Sequence, residues 1–260
     1  MSKYFKIWFT SMLHQAQTAF ASRLGVVVFL VGKLLRFYFF LLFLFLIVHQ
    51  TKSIAGYSLW EVIFFYATFN LIDSFPQMVL RSVYGFRNYV VSGFFDFYMV
   101  QPVSPLFRSL FGGSDILDIP MLFLSIGYII YSSFMLPHFS ITGVFLYILL
   151  ILNAFIISLA FHILVLSIGV ISTEVDNTVM LYRDLTQMGR LPIDIYKQAV
   201  SFILTFVIPV GVMITFPVKA LLGALSLQFI GYSVVFSVVF LTLSLFLWTK
   251  SLKNYTSASS

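Results

Sequence analysis

The chain has 260 residues, 60% of them hydrophobic and only 9% charged, with a mean hydropathy of +1.02. Soluble domains carry about 25% charged residues, so this chain cannot bury its apolar surface in one water-soluble core and reads as an integral membrane protein. It has no cysteine, which excludes disulfides, thiolate metal sites and a cysteine nucleophile; its net charge of +6 sits on membrane flanks, where orientation explains it better than nucleic acid does. Several apolar runs reach the roughly 20 residues needed to cross a hydrocarbon core of ~30 Å as helix, against the alternating ten-residue strands of a β-barrel. The expected fold class is therefore an all-α membrane protein forming one domain over 1–260.

Residues 3 to 22 read as an amphipathic helix lying on the membrane surface. Tyr4, Phe5, Trp8, Phe9 and Met12 recur at helical spacing among Lys3, Lys6, His14 and Gln15. The alternative is a plain extension of the first span. No small-residue cleavage site follows, so a removable signal is not expected. The first span runs from about Gly25 to Val48, with Lys33 and Arg36 either snorkelling toward the interface or facing a protein interior. A second covers about Leu59 to Leu80, with Glu61 near one end and Asn70 and Asp73 inside. A polar island, Arg81 to Gly113, follows. The third span, about Ile116 to Met135, opens with Asp115 and Asp118, favourable for the helix dipole. After a Pro137-His138 turn, the fourth covers about Ile141 to Val170, with Asn153 and His162 as its polar members. A second island, Ser172 to Lys197, carries Glu174, Asp176, Arg183, Asp184, Arg190, Asp194 and Lys197. The fifth span is Ala199 to Phe216, interrupted by Pro209 and Gly211, and the sixth is about Leu227 to Trp248.

Six spans put both ends of the chain on one side. Lys3, Lys6, Arg23, Arg81, Arg87, Arg108, Arg183, Arg190, Lys197, Lys250 and Lys253 then share a face, and only Lys52 and Lys219 lie opposite. By the positive-inside rule both termini and both islands are expected to be cytoplasmic. A second threading stays open. In it, Thr173 to Arg190 is a polar helix inside the bundle, and Ala199 to Phe216 dips in from outside and returns.

Little in the chain resembles a catalytic constellation. His14, His49, His138 and His162 are scattered, with no HExxH-like pair to hold a metal. His162 and Asn153 suit a proton relay or, more simply, one interhelical hydrogen bond. The run from Gly25 to Gly32-Lys33 has the wrong glycine spacing for a P-loop, lacks a following Ser or Thr, and lies in an apolar span. Energy from ATP would have to come through a partner.

A loop that only joins two spans needs a handful of residues, yet Arg81 to Gly113 has over thirty. Phe94, Phe95, Phe97, Tyr98 and Met99 crowd beside Ser92-Gly93, with arginines at the rim, which is the composition of a protein interface. It equally suits a helix resting on lipid headgroups. Both readings stand on composition alone.

The run Val91-Ser92-Gly93-Phe94-Phe95-Asp96-Phe97-Tyr98-Met99-Val100-Gln101-Pro102-Val103-Ser104-Pro105-Leu106 resembles the cytoplasmic loop of bacterial ABC transporter permeases of the type-2 exporter class. Further blocks agree in order: Gly189 to Tyr196, Leu204 to Val210, Phe216-Pro217, and Leu252 to Ser259. Gln101 stands where a basic residue is usual, and Met99 where leucine is common.

The resemblance implies a multi-pass permease of the bacterial inner membrane that moves substrate outward and has no catalytic residues or cofactor of its own. It would pair with a second permease, identical or a sister chain. ATP and Mg would be held by separate cytoplasmic ABC ATPase subunits. In this class a short coupling helix after the second span docks on the ATPase. On this chain that element falls within Tyr89 to Leu106, and its expected docking residues are Tyr89, Ser92, Gly93, Phe94, Phe95, Asp96, Phe97, Tyr98, Pro102 and Pro105. Membrane lipids would surround the bundle, and nucleic acid is not an expected partner. Two other functions stay open: an ion-coupled transporter using Asp73, Asn153 and His162, and a non-transporting membrane scaffold subunit.

Overall fold

A computed structural model describes residues 3–136, 140–172 and 175–256. The expected Pro137-His138 turn, Glu174 of the second island and the last residues of the C-terminal block lie outside them, as does the side chain of Asp176. The chain is all-helical. Among the described residues the only β-type contact is the isolated pairing of Ile54 with Tyr57.

Helix α1 (Lys3–Ala21) buries none of its residues and is separated by Ser22 from α2 (Arg23–Thr51), so it is its own element and not an extension of the first span. Lys52 ends α2 in the left-handed conformation at φ 68°, its N–H bonding to the Val48 carbonyl. Helix α3 (Leu59–Val79) starts where the Glu61 carboxylate turns back to accept from the Ser58 N–H at 2.7 Å, satisfying a free donor of the first turn. Thirteen of its twenty-one residues are buried. Asn70 bonds to the Tyr66 carbonyl within the helix, so its polar groups are met inside protein, as a helix surrounded by others requires.

The first island folds into three short helices, α4 (Phe86–Val91), α5 (Phe95–Val100) and α6 (Pro105–Phe111), behind one 3-10 turn at Arg81–Gly85. Helix α7 (Ile119–Ser133) continues a turn from Ile116 and packs along α3. Asp115 accepts from the Leu117 N–H at 3.0 Å, and Asp118 bonds Lys33. Lys33 therefore faces a protein carboxylate and does not snorkel; the pairing removes the cost of an isolated charge near the apolar core.

Helix α8 (Ile141–Ser172) packs along α12 (Leu227–Lys253), the last helix. Their seam is lined by small residues, with Ala154 and Ala160 buried on α8 and Ser233, Ser237 and Ser244 on α12. Small side chains let the two backbones approach. Asn153 reaches across this seam to the Ser233 hydroxyl at 2.7 Å and its carbonyl at 3.1 Å.

Between them come α9 (Val175–Gln187), α10 (Gln198–Phe202) and α11 (Phe216–Leu221). The arms Gln198–Val207 and Gly211–Leu221 meet at a bend of 84°. Wide π turns flank the break at Ile208-Pro209-Val210, where proline removes a backbone donor. Lys219, near the end of the second arm, bonds Asp194, just before the first arm, at 2.7 Å. The two arms thus enter and leave at one end of the bundle. The fifth span expected over Ala199 to Phe216 is thus bent at its middle into a hairpin of two short arms.

The contacts also define two ends. At the loop end, Lys3 donates to the Pro102 carbonyl at 2.6 Å, Trp8 to Ser114 at 3.0 Å, and Tyr255 to Asp96 at 2.9 Å, so both chain ends meet the first island. At the opposite end, Tyr57 donates to Asp194 at 3.0 Å. Arg190 is half-buried between α2 and α3, its guanidinium 5.6 Å from the Phe40 ring and 5.7 Å from Phe69. The second island does not share a face with the first. Its described part runs from the loop end along the side of the bundle to the other, Tyr182 stacking on Phe161 at 4.2 Å and Gly189 packing under Val210 and Ile214. Among the described residues four helices are long and apolar enough to cross a membrane, Arg23–Thr51, Ile116–Ser133, Ile141–Ser172 and Leu227–Lys253, and the bent pair Gln198–Val207 and Gly211–Leu221 makes a fifth if counted as one span.

Candidate functional site

The first island has its own apolar base. Leu80, Val83, Phe86, Val90, Phe95, Tyr98 and Leu110 are buried together with residues of α8 and with Trp248 of α12. The loop is therefore a rigid block seated on two long helices.

Helix α4 ends at Ser92, whose hydroxyl donates to the Asn88 carbonyl at 2.6 Å. Gly93 follows with φ 71°, a left-handed value that costs a side-chain-bearing residue roughly 1 kcal/mol, and the chain reverses into α5. Positions three apart on a helix share a face. Phe95 and Tyr98 accordingly point into the base. Phe95 is fully buried, its ring 5.2 Å from both Phe86 and Tyr255 and 6.4 Å from Trp248. These two expected docking residues support the surface from beneath and are not available to a partner. On the other face Phe94 and Phe97 are 46% and 59% exposed, with Val91, Met99 and Val100 also in the open. Tyr89 sits under Phe94 and Tyr98, with ring centres 5.7 and 5.6 Å away. The result is an apolar knuckle at the tip of the loop end, on an exposed surface that needs an explanation.

Three anchors fix the knuckle. Asp96 accepts from the Tyr255 phenol, which burial and then this carboxylate push up to about 12. Ser104 caps α6, accepting from the Phe107 N–H at 3.5 Å, with Pro105 at the first helical position, where its missing N–H costs nothing. The Arg108 guanidinium lies 5.6 Å from the Tyr98 ring; burial raises the Tyr98 phenol above its ordinary value, with neighbouring Tyr89 adding to this. Pro102 is exposed and holds Lys3 through its carbonyl, and Tyr4 packs edge-on to Phe107 at 4.7 Å. The C-terminal contact was not foreseen from the sequence. Tyr255 pairs with Asp96 over 159 residues, and no local spacing encodes such a contact.

The polar groups considered for ion coupling are dispersed. Asn153 is used by Ser233, while His162 bonds through Nδ1 to the Ser158 carbonyl of its own helix at 2.8 Å. Among the described residues no three His, Asp or Glu side chains gather into a metal-binding group.

The family model described as "ABC-2 family transporter protein" matches residues 34–259. The chain belongs to the ABC-2 transporter family. The match spans the knuckle, the bent hairpin and α12, and leaves out α1 and the first turns of α2. Comparisons with curated proteins and with solved structures return no match. Membership makes this ABC-2 chain a multi-pass membrane component of a transporter.

Proposed function

We propose that this ABC-2 chain is the permease subunit of an ATP-driven exporter, a single membrane domain in a bacterial inner membrane. It works with a second permease and with separate ATPase subunits that hold ATP and Mg. The observation that carries this reading is the knuckle: Phe94, Phe97 and Val100 exposed on a block that Phe95, Tyr98 and Asp96 tie to the membrane helices. An ATPase seated on that apolar surface pushes on α12 and the tail that follows it through the Phe95–Trp248 and Asp96–Tyr255 contacts, and on α8 through the shared apolar base. ATP binding would then tilt one permease against the other and open a path between them.

In this reading α2, α3, α7, α8, the segment from α9 to Ile195, and α12 make six crossings, and α10–α11 is a re-entrant hairpin. The loop end is cytoplasmic. Lys3, Lys6, Arg23, Arg81, Arg87, Arg108, Lys250 and Lys253 gather there, against Lys52, Lys197 and Lys219 at the other end. The test is reconstitution of the chain with an ABC ATPase encoded beside it. Outward transport that requires ATP and both proteins is the expected result. Proton-driven transport by this chain alone overturns the proposal.

A further inference from the structure

At the loop end α2, α3 and α9 enclose a cleft of about 360 Å³, lined by Lys33, Arg36, Gln77, Arg81, Arg183 and the ring of Phe29. Four cations thus face one space. Lys33 is bonded to Asp118, and Arg81 lies 3.7 Å from Asp115. Arg36 and Arg183 have no carboxylate in ion-pair contact among the described residues; Asp73 acts on both from further away. The four lining cations face Asp118 and Asp115, with Asp73 and Arg190 acting from further away, so the space carries a net positive charge. Arg81 and Arg183 flank a single ring, Tyr84, at 5.1 and 5.8 Å. Like charges held around one space at the edge of an apolar bundle repel one another unless an anion joins them.

The chemistry of the cleft selects that anion. Guanidinium groups match phosphate oxygens bidentately, and the buried Gln77 side chain bonds Asp73 behind them. A phosphodiester offers its charged oxygens to two guanidinium groups and can also carry apolar substituents onto a neighbouring apolar surface, which a free phosphate cannot. The α2 side is apolar and open: a Cβ on Gly32 would touch nothing within 4 Å, and Val27, Val28 and Val31 beside it are exposed. We propose that this cleft binds a phosphodiester anion, the head group of an acidic lipid, gripped by Arg36 and Arg183 while its acyl chains lie along α2. Lys33 and Arg81 supply the surrounding field. A free phosphate shares the head-group chemistry but makes no use of the apolar side.

The test uses the full chain in nanodiscs of phosphatidylcholine containing a small fraction of phosphatidylglycerol, with retained lipid read by native mass spectrometry. Arg36→Gln and Arg183→Gln should each reduce phosphatidylglycerol retention roughly tenfold, as expected for loss of a charge-assisted contact. Lys253→Gln, at the same end but outside the cleft, should leave it unchanged. Arg36→Lys keeps the charge and loses the fork, so it falls between wild type and Arg36→Gln, and it decides the matter if the glutamine variants fold poorly. Equal retention in the double Arg36→Gln/Arg183→Gln variant and wild type overturns the proposal, as does an equal loss in Lys253→Gln. A second arm adds inorganic phosphate to phosphatidylcholine-only discs. Millimolar binding that depends on Arg36 and Arg183, with no preference for phosphatidylglycerol, overturns the lipid as the source and retains the phosphate chemistry. No ATPase is involved, so this result is independent of the transport reading.

Discussion

The knuckle of α5 separates docking from folding, because residues one position apart face opposite ways. Phe97 is 59% and Phe94 46% exposed, which leaves roughly 100 Å² of each ring in water. Covering that area stabilises a complex by up to about 2.5 kcal/mol at ~25 cal/mol per Å². Association and side-chain ordering take back part of it, so Phe94→Ala and Phe97→Ala should each weaken ATPase binding by about 1–2 kcal/mol, roughly five- to thirtyfold. Neither should change the permease's own stability by more than about 0.5 kcal/mol. Phe95→Ala should do the reverse. Its ring is fully buried, and its loss costs about 3–5 kcal/mol of stability, with any effect on binding following from the damaged base. The assay pairs titration of the ATPase onto the reconstituted permease with a thermal midpoint for each variant. If Phe94→Ala and Phe97→Ala both keep affinity within about twofold while remaining folded, the knuckle is not the docking surface.

Other outcomes follow from single contacts. Because the chain lacks cysteine, Lys197→Cys can be labelled from either side. It should react from the side that labels Lys52→Cys and be silent from the side that labels Ser92→Cys. Lys219→Met removes the 2.7 Å bond that holds the two arms of the hairpin, and it should speed hydrogen exchange in α10 and α11 without affecting α12. Gly93→Ala, at φ 71°, should lower the thermal midpoint by an amount equivalent to about 1 kcal/mol. The Tyr255 phenol is raised from 10.0 to about 12, so its bond to Asp96 contributes fully below pH 10 and is lost as pH rises toward 12. The stability gap between wild type and Tyr255→Phe should therefore be constant from pH 6 to 9 and close above 10.

The helices were legible where lipid is the neighbour. A bilayer rewards any long apolar run, so expected spans such as Gly25 to Val48 and Leu227 to Trp248 fall inside the observed α2 and α12. The loop motif was legible too, since Gly93, Ser104 and Pro105 encode a reversal and a helix start locally. Legibility failed where protein is the neighbour. Ala199 to Phe216 is apolar enough to cross, and while Pro209 marks the break, the Asp194–Lys219 contact that holds the two arms together is not visible in the sequence. For Arg183 and Arg190 the sequence left two threadings open, and the rings that receive them, Tyr84, Phe40 and Phe69, lie far away in the chain.

The amino-acid order alone thus determined that this is a helical membrane protein, where its long helices lie, and which loop carries the apolar tip. These depend on transfer of each segment from water and on turn chemistry within a few residues. Tertiary structure alone decided which half of α5 faces outward, that the second island runs along the side of the bundle from one end to the other, and that four cations share one cleft. Those depend on partners far apart in the chain, such as Tyr182 with Phe161, Lys33 with Asp118 and Tyr255 with Asp96, whose pairing free energy exists only once the helices are packed.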